Sequence, residues 1–202
     1  RPRTLTAAVG PVVVATVLAG SAWRPVQALL ALIVALGLQI AVNYSNDYSD
    51  GIRGTDDVRV GPIRLTASGL ASAKAVKRAA FLSFGVACVA GLLLASISSW
   101  WILIVGAISV LAAWGYTGGH TPYGYRGFGE LSVFIFFGVV ATVGTYYVQT
   151  LEFSTAAFAA SVSMGSLSCA LLVINNIRDR AQDAQVGKKT LAVRLGDENA
   201  RR

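Results

Sequence analysis

Charged side chains and metal-binding side chains are both scarce in this sequence of 202 residues. Asp, Glu, Lys and Arg make up 13% of it and hydrophobic residues 54%, whereas an ordinary soluble domain carries about 25% charged residues. That deficit argues against a water-soluble globule and against a disordered chain. Two cysteines and one histidine exclude a disulfide scaffold and a zinc site built from His and Cys. Both cysteines, Cys88 and Cys169, are expected to be small packing residues.

Long apolar runs are what the chain has instead. Six uncharged runs of 18 to 22 residues are long enough, at about 1.5 Å per helical residue, to cross a hydrocarbon core about 30 Å thick. The sequence therefore predicts an all-α fold, a polytopic membrane helical bundle with six spans, as a single domain over residues 1–202 in contact with membrane lipid. The runs are 5–22, 26–45, 79–99, 100–117, 131–151 and 153–174.

The basic residues are distributed unevenly about these runs. If the six runs are spans, sixteen of the seventeen Lys and Arg residues fall on one side and only Arg24 on the other. The positive-inside rule then places the N-terminus, segments 46–78 and 118–130 and the C-terminal tail on the cytoplasmic face of the cell membrane. The net charge of +7 is thus explained without a nucleic-acid partner. Nine of the ten acidic residues share this face, so the active site is expected there.

Two clusters of acidic and amide residues follow the second and sixth runs. Asn43, Asp47 and Asp50 are spaced i, i+4 and i+7, which places them on one face of a helix. A similar ladder at i, i+4 and i+8 follows the sixth run, and in both a Gly and basic residues come next. The chain therefore resembles two halves, 1–78 and 131–196, that supply matching acid clusters. The second ladder is Asn175, Asp179 and Asp183.

Carboxylates at this spacing repel one another, and charge near apolar spans is costly, so a compensating group is required. Oxygen ligands of this type suit Mg²⁺, with Mn²⁺ as an alternative, and Mg²⁺ commonly shares itself between carboxylates and phosphate oxygens. The alternative to a metal site is that each acid cluster is a solvated helix end paired to a nearby Arg. This alternative explains one cluster more easily than both clusters together. With Arg64, Lys188 and Lys189 nearby, the pattern favours a site that binds a diphosphate and stabilises its departure.

The two acid motifs and the basic stretch after each resemble those of the UbiA-type intramembrane prenyltransferases. Within that superfamily, the chain is most similar to the branch that prenylates 1,4-dihydroxy-2-naphthoate in menaquinone synthesis. Such proteins usually have nine spanning helices, so the chain resembles their first six. The motifs are Asn46-Asp47-x-x-Asp50-Gly-x-x-Gly54-x-Asp56 with Gly61-Pro-x-Arg64, Asp179-x-x-x-Asp183 with Gly187-Lys-Lys-Thr190-Leu-Ala-Val-Arg-Leu-Gly196, the start Arg1-Pro-Arg-Thr4, and Tyr116-Thr-Gly-Gly119-x-x-Pro-Tyr123-Gly-Tyr-Arg126-Gly-x-Gly-Glu130.

The resemblance implies Mg²⁺-dependent transfer of a polyprenyl group from polyprenyl diphosphate to 1,4-dihydroxy-2-naphthoate, with loss of diphosphate and carbon dioxide to give demethylmenaquinol. It also implies roles for particular residues, with the four motif aspartates as the catalytic set. Implied metal ligands or their supports are Asp47, Asp50, Asp179, Asp183, Asn43, Asn46 and Asn175. Implied diphosphate contacts are Arg53, Arg64, Lys188 and Lys189, of which Lys189 has solvent exposure as its alternative.

Three parts of the pattern leave alternatives open. Gly54 stands where the superfamily commonly has its third acid, and either Asp56 or Asp57 is expected to replace it as a metal ligand. The 118–130 loop and its flank could shield a substrate cation with aromatic faces, but Tyr is also an ordinary interfacial anchor. Arg3 could contact an acidic aromatic head group, or could serve only as a positive-inside anchor. The candidate substrate or cation-shielding residues are Tyr116, Tyr123, Tyr125, Arg126 and Arg3.

Other enzymes and a transporter are the competing interpretations. Another aromatic acceptor such as 4-hydroxybenzoate would use the same motifs, because pocket shape sets the acceptor. The start Asp47-x-x-Asp50-Gly51 also begins the CDP-alcohol phosphotransferase signature, but the Ala-Arg pair that this signature needs is replaced by Gly54-Thr55. An ion-coupled transporter would place acids inside the spans, and none of the six runs contains one.

Overall fold

The computed structural model describes residues 4–55, 62–119 and 121–201, and these are helical with no strand among them. We number the helices α1 to α7 along the chain. α5 contains a π-helical stretch at Phe134–Val140, where each turn holds one residue more than in an α-helix. The helices are α1 (Thr6–Ala19), α2 (Pro25–Ile52), α3 (Ala73–Ile97), α4 (Ile102–Gly115), α5 (Gly129–Thr150), α6 (Thr155–Gln185) and α7 (Leu191–Ala200).

Each of the six apolar runs forms a helix, which confirms the predicted all-α membrane bundle, but the helices differ in length. α2, α3, α5 and α6 are long and apolar enough to cross a membrane. α1 and α4 are apolar but have 14 residues each, or about 21 Å of helix. α1 ends where Gly20 takes a positive φ of 52°, and α4 begins only at Ile102 because the turn after α3 uses Ser98 to Trp101. The prediction of six full-length spans was therefore too long for these two.

The helix ends follow the local sequence. Ser72, Ser154 and Thr190 each accept a hydrogen bond from a backbone N–H in the first turn of α3, α6 and α7, which satisfies donors that the helix leaves open. Pro25 opens α2, where its missing N–H costs nothing. α2 and α6 continue past their apolar runs to Ile52 and Gln185. The two acid motifs therefore lie on continuous helices, as their spacing predicted.

Small residues allow the helices to approach closely, as is usual in membrane bundles where shape rather than hydrophobicity holds helices together. Gly37 of α2 faces Ala87 of α3, and a Cβ on Gly37 would lie 3.0 Å from the Ala87 Cβ. The π-helical stretch of α5 crosses α6 even more closely. A Cβ on Gly138 would lie 2.6 Å from the Gly165 Cα and 2.8 Å from the Ser161 carbonyl oxygen. Glycine is therefore required at this crossing.

Gly138→Ala is expected to lower the midpoint of thermal unfolding in detergent, because the added methyl group meets backbone atoms that cannot turn aside. An overpacked contact of this kind costs about 1–3 kcal/mol. Gly144→Ala in the same helix is the matched control, since a Cβ there meets nothing within 4 Å. Midpoints that fall equally in the two variants would contradict this account of the crossing.

Candidate active site

A chamber of about 570 Å³ lies between the helices, with residues of both acid motifs along its polar end. The rest of its wall is mostly apolar and includes Val34 and Leu38 of α2, Val105 of α4, and Phe136 and Val148 of α5. A chamber with one polar end and an apolar body suits an amphiphile with an anionic head and a hydrocarbon tail. The acid-motif residues that line it are Asn43, Asn46, Asp50, Asn175, Asp179 and Asp183.

Two buried cations hold the acid motifs together at the polar end. The Lys188 Nζ lies 3.0 Å from Asp50 Oδ1 and 3.9 Å from Asp183 Oδ1. The Arg64 Nη2 lies 3.4 Å from Asp50 Oδ2, and both side chains are 5% exposed. Carboxylates from α2 and α6 thus face each other across one ammonium group. These four side chains, which we call the ion cluster, bring together predicted residues from both halves of the chain.

Asp179 belongs to the same wall but has a different partner. The Arg178 guanidinium donates two hydrogen bonds to it, from Nε to Oδ1 at 2.7 Å and from Nη2 to Oδ2 at 2.9 Å. Arg178 was not predicted as a site residue. Its immediate position beside Asp179 in the sequence was the available signal, although neighbours on a helix usually point in different directions.

The predicted amide residues make local hydrogen bonds. The Thr117 hydroxyl donates to Asn46 Oδ1 at 2.7 Å, and Asn43 Nδ2 donates to Thr4 Oγ1 at 3.0 Å. Asn175 Nδ2 donates to the Leu171 carbonyl at 2.9 Å. Thr117 was missed by sequence reasoning, because a hydroxyl after α4 carries no pattern of its own.

Asp47 points away from the other acids. Its Oδ2 accepts the Leu65 N–H and its Oδ1 the Thr66 N–H, each at 2.9 Å, and it is 7% exposed. Asp47 is also outside the chamber wall. The face of α2 that lines the chamber therefore carries Asn43, Asn46 and Asp50, and not the predicted ladder through Asp47. Because both carboxylate oxygens hold the backbone next to Arg64, this geometry favours a positioning residue. Metal ligation by Asp47 stays a prediction.

The Tyr125 side chain lies against the ion cluster. Its phenol donates a hydrogen bond to Asp50 Oδ1, and the Lys188 Nζ lies 4.7 Å from the centre of its ring. Burial raises the pKa of the Tyr125 phenol well above its usual value, and the Asp50 charge raises it further. Tyr125 therefore stays protonated at physiological pH and serves as a hydrogen-bond donor, not as a base.

Tyr116 and Tyr123 also line the chamber, with their rings edge to face and 5.6 Å apart. The Tyr123 hydroxyl donates to the Ala112 carbonyl at 2.8 Å, and burial raises the pKa of this phenol. Aromatic faces are thus present beside the polar end. Their role in shielding a cation stays a prediction.

Three predicted basic residues lie outside the chamber wall. Arg53 is exposed, and its guanidinium donates to the carbonyls of Thr117 and Gly119, which fixes the loop after α4. Lys189 and Arg126 are exposed as well. The backbone N–H of Lys189 donates to the Tyr125 carbonyl at 2.8 Å, which turns its side chain away while Lys188 points inward. Asp56, Asp57 and Arg3 lie outside the described residues.

Two further contacts missed from the sequence tie α6 to distant segments. Asn176 Nδ2 donates to Glu130 Oε1 at 2.9 Å, which ties the start of α5 to the acid motif on α6. Gln182 Nε2 similarly donates to the Thr55 carbonyl at 2.9 Å. Both contacts join segments that are distant in sequence, so no local pattern could indicate them.

Comparison with known proteins agrees with this geometry. The UbiA prenyltransferase family matches residues 8–202. A 1,4-dihydroxy-2-naphthoate octaprenyltransferase of Mycobacterium tuberculosis is 54% identical over all of this chain and 70% of its own length. Proteins of the same name from Mycobacterium leprae and Escherichia coli are 53% and 40% identical, again over all of this chain and over 69% and 68% of theirs. These matches confirm the predicted aromatic prenyltransferase, and the chain belongs to the UbiA prenyltransferase family.

Proposed function

We propose that this chain transfers a polyprenyl group from polyprenyl diphosphate to 1,4-dihydroxy-2-naphthoate, releasing diphosphate and carbon dioxide and giving demethylmenaquinol. The single observation that carries the proposal is the chamber in which the ion cluster stands directly above an apolar interior. The names of the relatives above support this acceptor and the polyprenyl donor. The excess of basic residues on the side of the bundle that carries these motifs supports a reaction at the cytoplasmic face of the cell membrane.

Arg64 and Lys188 are the proposed contacts to the diphosphate. Both are almost fully buried at the chamber's polar end, and each lies against Asp50. A planar guanidinium can bind two phosphate oxygens at once, while an ammonium group acts as a point charge. Both cations can keep their Asp50 contact while turning part of their donor set toward phosphate oxygens.

Charge balance supports a divalent cation arriving with the substrate. At the polar end, Asp50, Asp179 and Asp183 are matched by Arg64, Lys188 and Arg178, so a diphosphate would add uncompensated negative charge. Among the described residues, no three His, Cys, Asp or Glu side chains converge closely enough to form a ready-made metal site. Mg²⁺ needs only one or two carboxylates when phosphate oxygens complete its shell, and the donor set fits that mode.

Asp50, Asp179 and Asp183 would hold Mg²⁺, with Asn46 and Asn175 in support. When bound, the ion would neutralise charge that develops on the diphosphate as the carbon–oxygen bond breaks. Mn²⁺ has the same preference for oxygen ligands and is the proposed substitute.

The protein's own residues prepare the two substrates. The apolar wall holds the hydrocarbon chain and excludes water from the allylic carbon, and Arg64 and Lys188 orient the leaving diphosphate, which takes the bonding electron pair. Tyr116 and Tyr123 offer π faces beside the developing positive charge. The ring carbon of the acceptor forms the new bond, and loss of its carboxylate as carbon dioxide returns an electron pair to the ring.

The proposal is tested in membranes that contain the chain, with polyprenyl diphosphate, with and without Mg²⁺, and with dihydroxynaphthoate and 4-hydroxybenzoate offered together. Mass spectrometry identifies the products. We expect Mg²⁺-dependent prenylated naphthoquinol. Product formed only from the benzoate would keep the chemistry and overturn the acceptor, and no product from an inserted chain would overturn the activity.

Asp179→Ala is expected to lower the rate of prenyl transfer by about 100-fold or more, because it removes a carboxylate from the polar end of the chamber. Asp197→Ala is the matched control, as Asp197 lies on α7 and pairs only with Arg180 and Arg201 in the described part of the chain. Equal activity in the two variants would remove Asp179 from the site.

Arg64→Ala is expected to raise the KM for polyprenyl diphosphate by about tenfold or more and to change the KM for the acceptor much less, because the contact is to the head group. Arg64→Lys keeps the charge but loses the planar fork and should recover part of the effect. An equal rise in both KM values would indicate a structural role.

Asp47→Asn and Asp50→Asn separate positioning from metal ligation. Asp47→Asn keeps one oxygen for the Leu65 and Thr66 N–H groups, so it should raise the KM for the diphosphate substrate and leave the Mg²⁺ concentration for half-maximal activity unchanged. Asp50→Asn should raise that Mg²⁺ concentration by about tenfold or more. A similar Mg²⁺ shift in the Asp47 variant would make Asp47 a ligand after all.

A further inference from the structure

A second groove lies on the outer face of α2 and α3, away from the chamber. Leu30 and Ile33 of α2 line one side of it, and Phe81, Leu82 and Val86 of α3 line the other. The groove is shallow and apolar, and Leu82 is 72% exposed. Gly85 lies at its middle, where a Cβ would meet nothing within 4 Å. Its missing side chain is what leaves a depression in the helix surface.

Three basic residues stand at one end of the same groove. Lys74, Lys77 and Arg78 lie in the first two turns of α3 and line the groove with the apolar residues below them. Lys74, Arg78, Leu82 and Val86 follow at intervals of four residues, so they form one stripe along the helix. The cations therefore continue directly into an apolar track.

These cations have no acidic partner in the part of the chain that the structure describes. No carboxylate of residues 4–55, 62–119 or 121–201 forms an ion pair with Lys74, Lys77 or Arg78, and the one charge contact recorded there is the Lys77 Nζ 5.3 Å from the Tyr48 ring centre. The first turn of a helix is also an unfavourable place for positive charge, because the helix dipole is positive at that end. Three cations at the membrane surface thus have no compensating carboxylate among the described residues.

We propose that this groove binds one anionic phospholipid of the bilayer, with its phosphate between Lys74 and Arg78 and an acyl chain along Leu82 and Val86. Charge complementarity selects the occupant. A basic cluster at the cytoplasmic surface attracts acidic head groups, and an apolar track below it excludes a free phosphate as the natural ligand. The site is separate from the prenyl chamber, and it rests on the membrane fold alone.

Lys74→Gln with Arg78→Gln tests the head-group contact in the purified full chain. Native mass spectrometry compares retention of phosphatidylglycerol and phosphatidylcholine. We expect the unmodified chain to retain phosphatidylglycerol preferentially, and the double variant to lose about tenfold to thirtyfold in that retention. Arg180→Gln with Arg201→Gln removes the same charge elsewhere and should retain phosphatidylglycerol unchanged. Equal loss in the two double variants, or equal retention of the two lipids by the unmodified chain, would overturn the proposal.

Gly85→Leu tests the acyl track without changing charge. The added side chain fills the depression and should reduce phosphatidylglycerol retention, whereas Ala107→Leu on the exposed face of α4 should not. Matching thermal unfolding midpoints for the two variants establish that both fold. A Gly85 variant with full retention, or complete displacement of the lipid by millimolar inorganic phosphate, would show that the groove contributes nothing and would overturn the proposal.

Discussion

The contact of Lys188 with carboxylates from two helices is the interaction on which the rest of the site depends. Asp50 and Asp183 are both buried, and two like charges facing each other in an apolar surrounding would repel one another strongly. The ammonium group between them offsets that repulsion and links α2 to α6. The backbone supports it, since the Lys188 N–H donates to the Asp183 carbonyl at 2.8 Å. At the charged end of the chamber, Asp50, Asp179 and Asp183 are thus matched by Arg64, Arg178 and Lys188 before any ligand binds.

Much of the fold and part of the site could be predicted from the sequence. Apolar runs separated by charged segments indicated the helices, and the spacing of the acids indicated that they lie on helices near a common face. Helix lengths were less predictable, because a run such as 100–117 does not reveal that its first residues form a turn. Periodicity predicted that Asp47 shares one face with Asn43 and Asp50, whereas in the structure it turns to the backbone of Leu65 and Thr66. Positions 47 and 50 are about 60° apart around a helix. Only the folded structure shows that the 62–71 segment packs over Asp47 and leaves Asp50 facing the chamber.

Neighbouring residues illustrate the same limit. Lys188 and Lys189 are identical in type and adjacent, yet one is buried in the ion cluster and the other is exposed. The difference arises from backbone contacts of Lys188 to nearby Asp183 and of Lys189 to Tyr125, which is distant in sequence. Thr117 was missed for a related reason, since tertiary packing sets its contact with Asn46. A charge pattern can thus identify a site while leaving open which of its members enter it.

The π-helical stretch in α5 sets the rotational phase between the two ends of that helix. One additional residue in a helix turns everything that follows by about 100° relative to an uninterrupted α-helix. Ser132 before the stretch and Gly144 and Val148 after it all line the chamber. Regular α-helix geometry over Phe134–Val140 at the same chain length would rotate Val148 relative to Ser132 and turn it out of the wall. The local irregularity therefore keeps the two ends of α5 in register along one wall of the chamber.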